Sequence, residues 1–407
     1  TMIVAETAIG RMTRKSPVGA FKSFGKKKWL SFGGWINAVI PVLIVPYYSV
    51  IGGWVIKYLV EYFRGNAKLL AEDGYFTDFI SNGVSTELCF VAFCAFTLII
   101  IFAGVQNGIE RVSKIMMPIL IVLSVIIAVY SVTRPGALAG VKYFLVPNVK
   151  NFSWMTVVSA MGQMFYSLSI AMGILITFGS YMKKDTAIED STRNVEIFDT
   201  GIAIMAGLMI IPAVFAFSGG DPDTLQAGPS LMFITIPKVF QNMGFGTVIG
   251  IVFFLLVLFA AVTSSIALTE SAVSTFEDEL GWGRKKATVL VGVIMLALGS
   301  LSSLGYGPLA GIKIIGMQFL DLFDFLTNSV MMPIAALLTS LFVSRVVGID
   351  KIEAEIIHGE SAFRRKKVFV VMIKYLCPVF AIIILLSSVA TVSYTHLRAH
   401  ETELHLV

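Results

Sequence analysis

The sequence predicts an all-α protein that crosses a membrane about ten times, with one span interrupted partway. Three observations predict it. The 407 residues are 56% hydrophobic and only 14% charged, with a mean hydropathy of +0.83, which leaves too little polar surface to solvate a water-soluble core. Apolar stretches of about 18 to 25 residues recur between short charged loops, each long enough to cross about 30 Å of hydrocarbon. One stretch carries GQMFYSLSIAMG (162–173), an amide, hydroxyls and glycine where lipid demands unbroken apolar helix. Irregular backbone at that depth is tolerated only where it is buried in protein or lines a polar cavity.

The stretches run in order. The first, 1–21, contains Glu6. The second, 32–63, is bent by Pro41 and Pro46 and has Tyr47 and Tyr48 at its middle. A phenol that deep needs a partner for its hydroxyl, either a bound carboxylate or a backbone carbonyl. Stretches 86–104 and 116–132 follow, then the interrupted one, 157–182. There Gln163 and Ser167 lie one helical turn apart on a shared face, and Ser169, Ala171 and Gly173 supply small residues where the backbone can unwind. Such a break offers carbonyl oxygens to a cation and amide groups to a carboxylate. The competing reading is close helix packing, with each hydroxyl bonded back to the preceding turn.

The sixth stretch, 195–218, carries Asp199 near its start. A carboxylate near mid-membrane costs about 2.5 to 3.5 kcal/mol on insertion scales, so it should have a partner or a role unless it is an interfacial acid on the helix dipole. The seventh, 246–276, contains FAAVTSSIAL, in which Ala260, Thr263 and Ser264 stand at i, i+3 and i+4. One carbonyl and two hydroxyls on a face are the hard, neutral oxygens that a small alkali cation prefers. Stretches 287–304, 312–347 and 369–389 complete the set. Glu270, Asp321 and Asp324, like Glu6, lie inside apolar runs, where pairing with a neighbouring helix or facing a water-filled vestibule is expected.

Lysine and arginine set the orientation. Loops 11–28, 111–114, 183–193, 284–286 and 364–367 are basic and alternate with the poorly basic 65–78, 219–228 and 304–308, so the basic loops are expected inside. The net charge of +5 is this asymmetry and needs no nucleic-acid partner. By counting, the first span runs inward, Thr1 is expected at the outer face, and an earlier helix is expected to be missing. Cys89, Cys94 and Cys377 lie within apolar spans as small core residues, with no disulfide expected. There is no HExxH, no GxxxxGK, no CxxC and no nucleophile beside a base, so an enzyme and an organic cofactor are both disfavoured. Residues 392–402, VSYTHLRAHET, resemble the translated frame of a sequencing-library adapter, and His396, His400 and His405 nearby give no coherent metal face. The domain is therefore expected to be 1–390, with 391–407 a non-native tail.

The ordered motifs AETAIGR, PYYSVIGGW, GQMFYSLSIAMG with ITFGSYMKKD, FAAVTSSIAL with FEDEL, and LFDFL resemble the neurotransmitter:sodium symporters, specifically their bacterial amino-acid transporters. The resemblance covers nearly all of 1–390 and implies a pair of inverted five-helix repeats around two broken helices, with substrate and sodium at the bilayer midplane. It makes the first span here the family's second helix. One sodium site would use Ser167 and Asp199 with the substrate carboxylate; the other would use the Ala260 carbonyl with Thr263 and Ser264. Both would also draw on the absent helix and so be incomplete. The substrate pocket would be walled by Ile44, Tyr48, Tyr166, Ser169, Met172, Ser264 and Leu268, with the Tyr48 hydroxyl on the carboxylate and Tyr166 as an outer lid. Asp324 would be an outer gate acid, Tyr181 and Asp278 inner gate residues, and Glu6 the acid that steadies the broken backbone.

The implied activity is sodium-coupled symport of a neutral, hydrophobic or aromatic amino acid across a bacterial inner membrane, with the bilayer and the amino acid as partners. Three departures refine it. Ala171 stands where the family often has glycine, which restrains the break. Asp199 stands where many relatives have asparagine, which implies transport without chloride. Met172 replaces a common phenylalanine and leaves an adaptable wall for a large apolar substrate. The alternatives are a proton-coupled exchanger using Glu270 or Asp199, a non-transporting amino-acid receptor, and an inactive fragment. Oligomeric state is left open.

Overall fold

A computed structural model describes residues 1–221, 225 and 228–404, with the side chains of 151 and 391–404 outside the described residues. The side chains of the tail expected to be non-native thus lie outside the described residues, although the backbone of the last helix runs on to Leu404. In chain order the principal helices are α1 (Met2–Thr13), α2 (Pro17–Lys22), α3 (Lys28–Phe63), α4 (Gly83–Phe102), α5 (Val105–Val132), α6 (Trp154–Ser167) and α7 (Ile174–Tyr181). They continue with α8 (Ile188–Ser218), α9 (Gly246–Leu280), α10 (Arg284–Leu304), α11 (Phe319–Val347), α12 (Ile349–Ile357) and α13 (Lys366–Ala390).

Among the described residues, 8 helices are long and apolar enough to cross a membrane. The first and fifth expected spans are each divided. Instead of one helix over 1–21, α1 stops at Thr13, where Arg14 turns left-handed at φ 56°, and α2 restarts after an extended Ser16 with Pro17 at its first turn. Proline has no N–H to continue a helix but suits a helix start. The 12 residues of α1 cover about 18 Å. The ninth span also begins later than 312, because Ile315 and Gly316 take positive φ and a small bridge between Ile314 and Met317 reverses the chain before Phe319. The fifth span is interrupted where the hydroxyl-rich string sits.

Helix α3 is the axle. It contacts α2, α4, α9, α10 and α11. Most of its residues between Gly33 and Val55 are buried, as expected of a helix within a bundle. Pro41 removes the helical donor to the Asn37 carbonyl, and Gly173 approaches that carbonyl so closely that a Cβ there would sit 2.8 Å from it. The end of α3 is locked by Tyr58, whose hydroxyl donates to the Phe233 carbonyl at 2.7 Å, and by Trp54, which meets Phe76 and Phe233 edge-on.

Helices α1 and α7 touch backbone to backbone. A Cβ on Gly10 would lie 2.0 Å from the Ile176 carbonyl oxygen, and one on Gly179 would lie 2.5 Å from that of Thr7. Without a hydrophobic force between helices in lipid, such close approach supplies the dispersion contact that joins them. Gly179→Ala is expected to destabilise the protein by about 1 to 3 kcal/mol, read as a lower unfolding midpoint in detergent. An unchanged midpoint would mean that α1 and α7 separate freely.

Candidate functional site

Helix α6 ends at Ser167 and α7 begins at Ile174. Between them, alternate residues turn left-handed: Ser169 at φ 54°, Ala171 at 59° and Gly173 at 71°. This conformation costs a residue bearing a Cβ about 1 to 2 kcal/mol. The surroundings therefore have to hold it. Glu6 of α1 does so, its Oε1 accepting the Ala171 N–H at 2.9 Å while the side chain is wholly buried. The second Glu6 oxygen, Oε2, is buried with no hydrogen-bond partner among the described residues. An orphaned carboxylate oxygen beside an unwound backbone fits a site that calls for further donors or a cation.

A cavity of about 570 Å³ opens beside the break. Helix α3 gives it Ile44 and Tyr48; α6 and the break give Gln163, Tyr166, Ser167, Ser169 and Met172; α9 gives Thr263, Ser264, Ile266, Ala267 and Leu268. Ile44, Tyr48, Tyr166, Ser169, Met172, Ser264 and Leu268, all singled out from sequence, thus line one space together with Ser167 and Thr263. The Ser167 segment and the α9 hydroxyls face each other across it.

Sequence reasoning missed Ile109, Ser113 and Met117 of α5 and Phe178 of α7, which close the remaining wall. Arg111 and Lys114 made 105–115 read as a loop. In fact the chain there is helical and opens with a π-helical stretch, Val105–Glu110, that reorients the segment. The charges mark only the end of a span.

The oxygens are arranged in two groups. Ser167 Oγ donates to Asp199 Oδ1 at 2.5 Å, joining α6 to α8. Thr263 Oγ1 donates back to the carbonyls of Ala260 at 3.0 Å and Phe259 at 3.1 Å, so its proton is committed to the helix while its lone pairs stay free for the cavity side. Asp199 lies outside the main cavity and faces a second one of about 530 Å³, with Thr1, Met2, Leu168, Ile170 and Glu196 around it. Thr1 therefore stands beside the break, about 8 Å along α1 from Glu6.

The adjacent tyrosines of α3 separate. Tyr48 turns to the cavity with its hydroxyl within reach of Ser264. Tyr47 is buried on the other side, where its hydroxyl meets Thr327 Oγ1 at 3.2 Å and accepts from Asn328 Nδ2 at 3.4 Å. Asn328 Nδ2 also donates to Asp324 Oδ1 at 2.6 Å, so the expected outer gate acid belongs to this network.

At the far end of α7, Tyr181 donates to Glu270 Oε1 at 2.7 Å. Arg284 grips the same carboxylate with two N–H groups, at 3.0 and 2.5 Å, and gives its Nε–H to the Ile101 carbonyl at 3.1 Å. Glu270 is thereby held by Tyr181 and Arg284 in one buried cluster. Asp278 instead accepts the Ser16 N–H at 2.5 Å at the start of α2. Tyr181 and Asp278, grouped from sequence as inner gate residues, are thus engaged with different partners.

A bundle of membrane-spanning helices, with an interrupted helix, a central cavity and cation-suited oxygens at the break, defines a secondary transporter. The profile of the sodium:neurotransmitter symporter family matches residues 76–401, and the chain belongs to that family. It is 33% identical over 397 residues to an uncharacterized sodium-dependent transporter, YhdH, of Bacillus subtilis, covering 97% of this chain and 87% of that protein. A similar transporter of Haemophilus influenzae is 30% identical over 404 residues, covering 95% of this chain and 86% of the relative. Among solved structures, that of MhsT in complex with L-phenylalanine superposes with a TM-score of 0.83 at 33% identity, covering 95% of this chain and 88% of that one. The protein is accordingly a sodium-dependent membrane transporter with the inverted-repeat fold, not an enzyme.

Proposed function

We propose that this chain belongs to a symporter that carries a neutral, hydrophobic or aromatic amino acid with sodium across a bacterial inner membrane. The observation that carries the reading is the single cavity shared by Tyr48, Tyr166, Met172 and the oxygens of Ser167 and Thr263. A zwitterion needs both features, a polar end for its carboxylate and an apolar wall for its side chain. Ile44, Met172, Phe178 and Leu268 make that wall large and deformable. MhsT, similar in fold and sequence, was solved with L-phenylalanine.

Ser167 and Asp199 would serve one sodium together with the substrate carboxylate. Ala260, Thr263 and Ser264 would serve the other. Asp199 supplies fixed negative charge, so transport would need no chloride. The driving force is the sodium gradient plus the membrane potential, worth about 2.3 kcal/mol per charge per 100 mV. Tyr166 and Asp324 would close the outer side, and Tyr181 and Asp278 would lie on the inner one, where the basic loops face the cytoplasm.

Uptake of labelled phenylalanine into proteoliposomes tests the reading. Uptake should require an inward sodium gradient at constant pH and should be competed by leucine or tryptophan far better than by glycine. Thr263→Val, which keeps the shape and removes an oxygen ligand, should raise the sodium concentration for half-maximal uptake about tenfold, equivalent to about 1.4 kcal/mol. Sodium-independent flux, or preference for glycine, would reject the proposal.

A further inference from the structure

The elbow joining α1 to α3 carries a cation cluster that the proposed substrate and sodium sites do not use. Lys26, Lys27 and Lys28 are consecutive and exposed, and none forms an ion pair with an acid among the described residues. The nearby Lys22 ammonium meets Glu279, leaving the triplet as uncompensated charge. Lys27 caps α3 and Lys28 begins it, and the first turn of this helix holds no acid. The cations therefore sit against the positive end of their own helix, a placement that repels them unless an anion shares the site.

An apolar face lies directly below. Lys28, Phe32 and Trp35 stand at i, i+4 and i+7 and form one stripe down α3. Phe32 is 56% exposed and Trp35 is 38% exposed, and Lys22 lies 5.9 Å from the Trp35 ring. A cation above aromatics on an outward helix face is the order of groups met on passing from phospholipid headgroup to acyl chain. The elbow is also firmly seated. Phe21 of α2 stacks on Phe342 at 4.1 Å, and a Cβ on Gly34 would lie 2.9 Å from the Val18 Cα, so α2 is pressed against α3 and α11, with the lysines exposed beyond it.

We propose that this elbow is a docking surface for an anionic phospholipid, with Lys26, Lys27 and Lys28 around the phosphate and Phe32 and Trp35 against the acyl chains. The charge complementarity is specific in sign: an anionic headgroup relieves the repulsion at the start of α3, while a zwitterionic one brings its own cation to the same place. The bound lipid would brace the joint between α1, which carries Glu6, and α3, which carries Tyr48.

Tryptophan quenching by brominated lipids tests this on the full chain in liposomes, without reference to transport. The fraction of quenching lost in Trp35→Phe reports the elbow. Brominated phosphatidylglycerol should displace ordinary phosphatidylcholine from that position at least tenfold better than brominated phosphatidylcholine does, since each lysine contributes about a fivefold preference. Lys26→Gln/Lys27→Gln/Lys28→Gln should bring the two lipids to within about twofold. If that variant does not fold, salt on the unaltered protein serves instead, because screening falls from about 10 Å at 0.1 M to about 3 Å at 1 M and should erase the preference. Equal quenching by both lipids, a preference that survives the substitutions or salt, or its loss to millimolar inorganic phosphate would each overturn the proposal, the last by pointing to a soluble anion.

Discussion

Arg284→Met is expected to destabilise this protein by about 3 kcal/mol and to abolish uptake. Glu270 is wholly buried in α9, and both of its oxygens take their N–H donors from Arg284 at the start of α10. Without the guanidinium, the carboxylate keeps only the Tyr181 hydroxyl at 2.7 Å. Removing one partner of a buried pair is worse than removing both, because the survivor is left desolvated. The double variant Arg284→Met/Glu270→Leu should therefore recover most of the unfolding midpoint. The same guanidinium also ties the Ile101 carbonyl near the end of α4. Equilibrium unfolding in detergent checks the pair of variants; a single variant within 0.5 kcal/mol of the unaltered protein, a margin typical of surface changes, would show that this cluster holds nothing together.

The second large effect is expected at Asp199. Its Oδ1 takes a 2.5 Å hydrogen bond from Ser167, so Asp199→Asn keeps the shape and removes the charge beside the proposed sodium position. A full charge at about 4 Å is worth about 4 kcal/mol at an effective dielectric near 20, and partial exposure reduces it. Sodium should bind about a hundredfold more weakly, with uptake becoming dependent on chloride, which replaces the lost negative charge. Sodium titrations of uptake with chloride or gluconate distinguish this. Chloride-independent uptake left unchanged in the variant would overturn the assignment.

Much of the architecture could be read from the chain. The span pattern was legible because lipid forces each crossing to satisfy its own backbone, so length and apolarity alone mark it. The break was legible because Ser169, Ala171 and Gly173 interrupt such a run. Less could be read where polar residues have two plausible uses. Arg111 and Lys114 hid the part of α5 that walls the cavity, and Pro17 with Arg14 divided a stretch that hydropathy had joined. The partner of Glu270 could not be read either, since nothing in its neighbourhood along α9 reveals Arg284 folding back from α10.

The sequence by itself determined the class: helices of bilayer length, an interruption in one of them, and hydroxyls at helical spacing on another. These are local properties, fixed by backbone hydrogen bonding and by 3.6 residues per turn. Only the tertiary structure decided which oxygens share a space. Tyr47 and Tyr48 are neighbours of the same chemistry, yet the 100° rotation between them gives one to Thr327 and Asn328 and the other to the cavity. Likewise Glu6 meets Ala171 across 165 positions of sequence. Partnership depends on the azimuth and depth at which helices pack, and those are set by the whole bundle rather than by any one span.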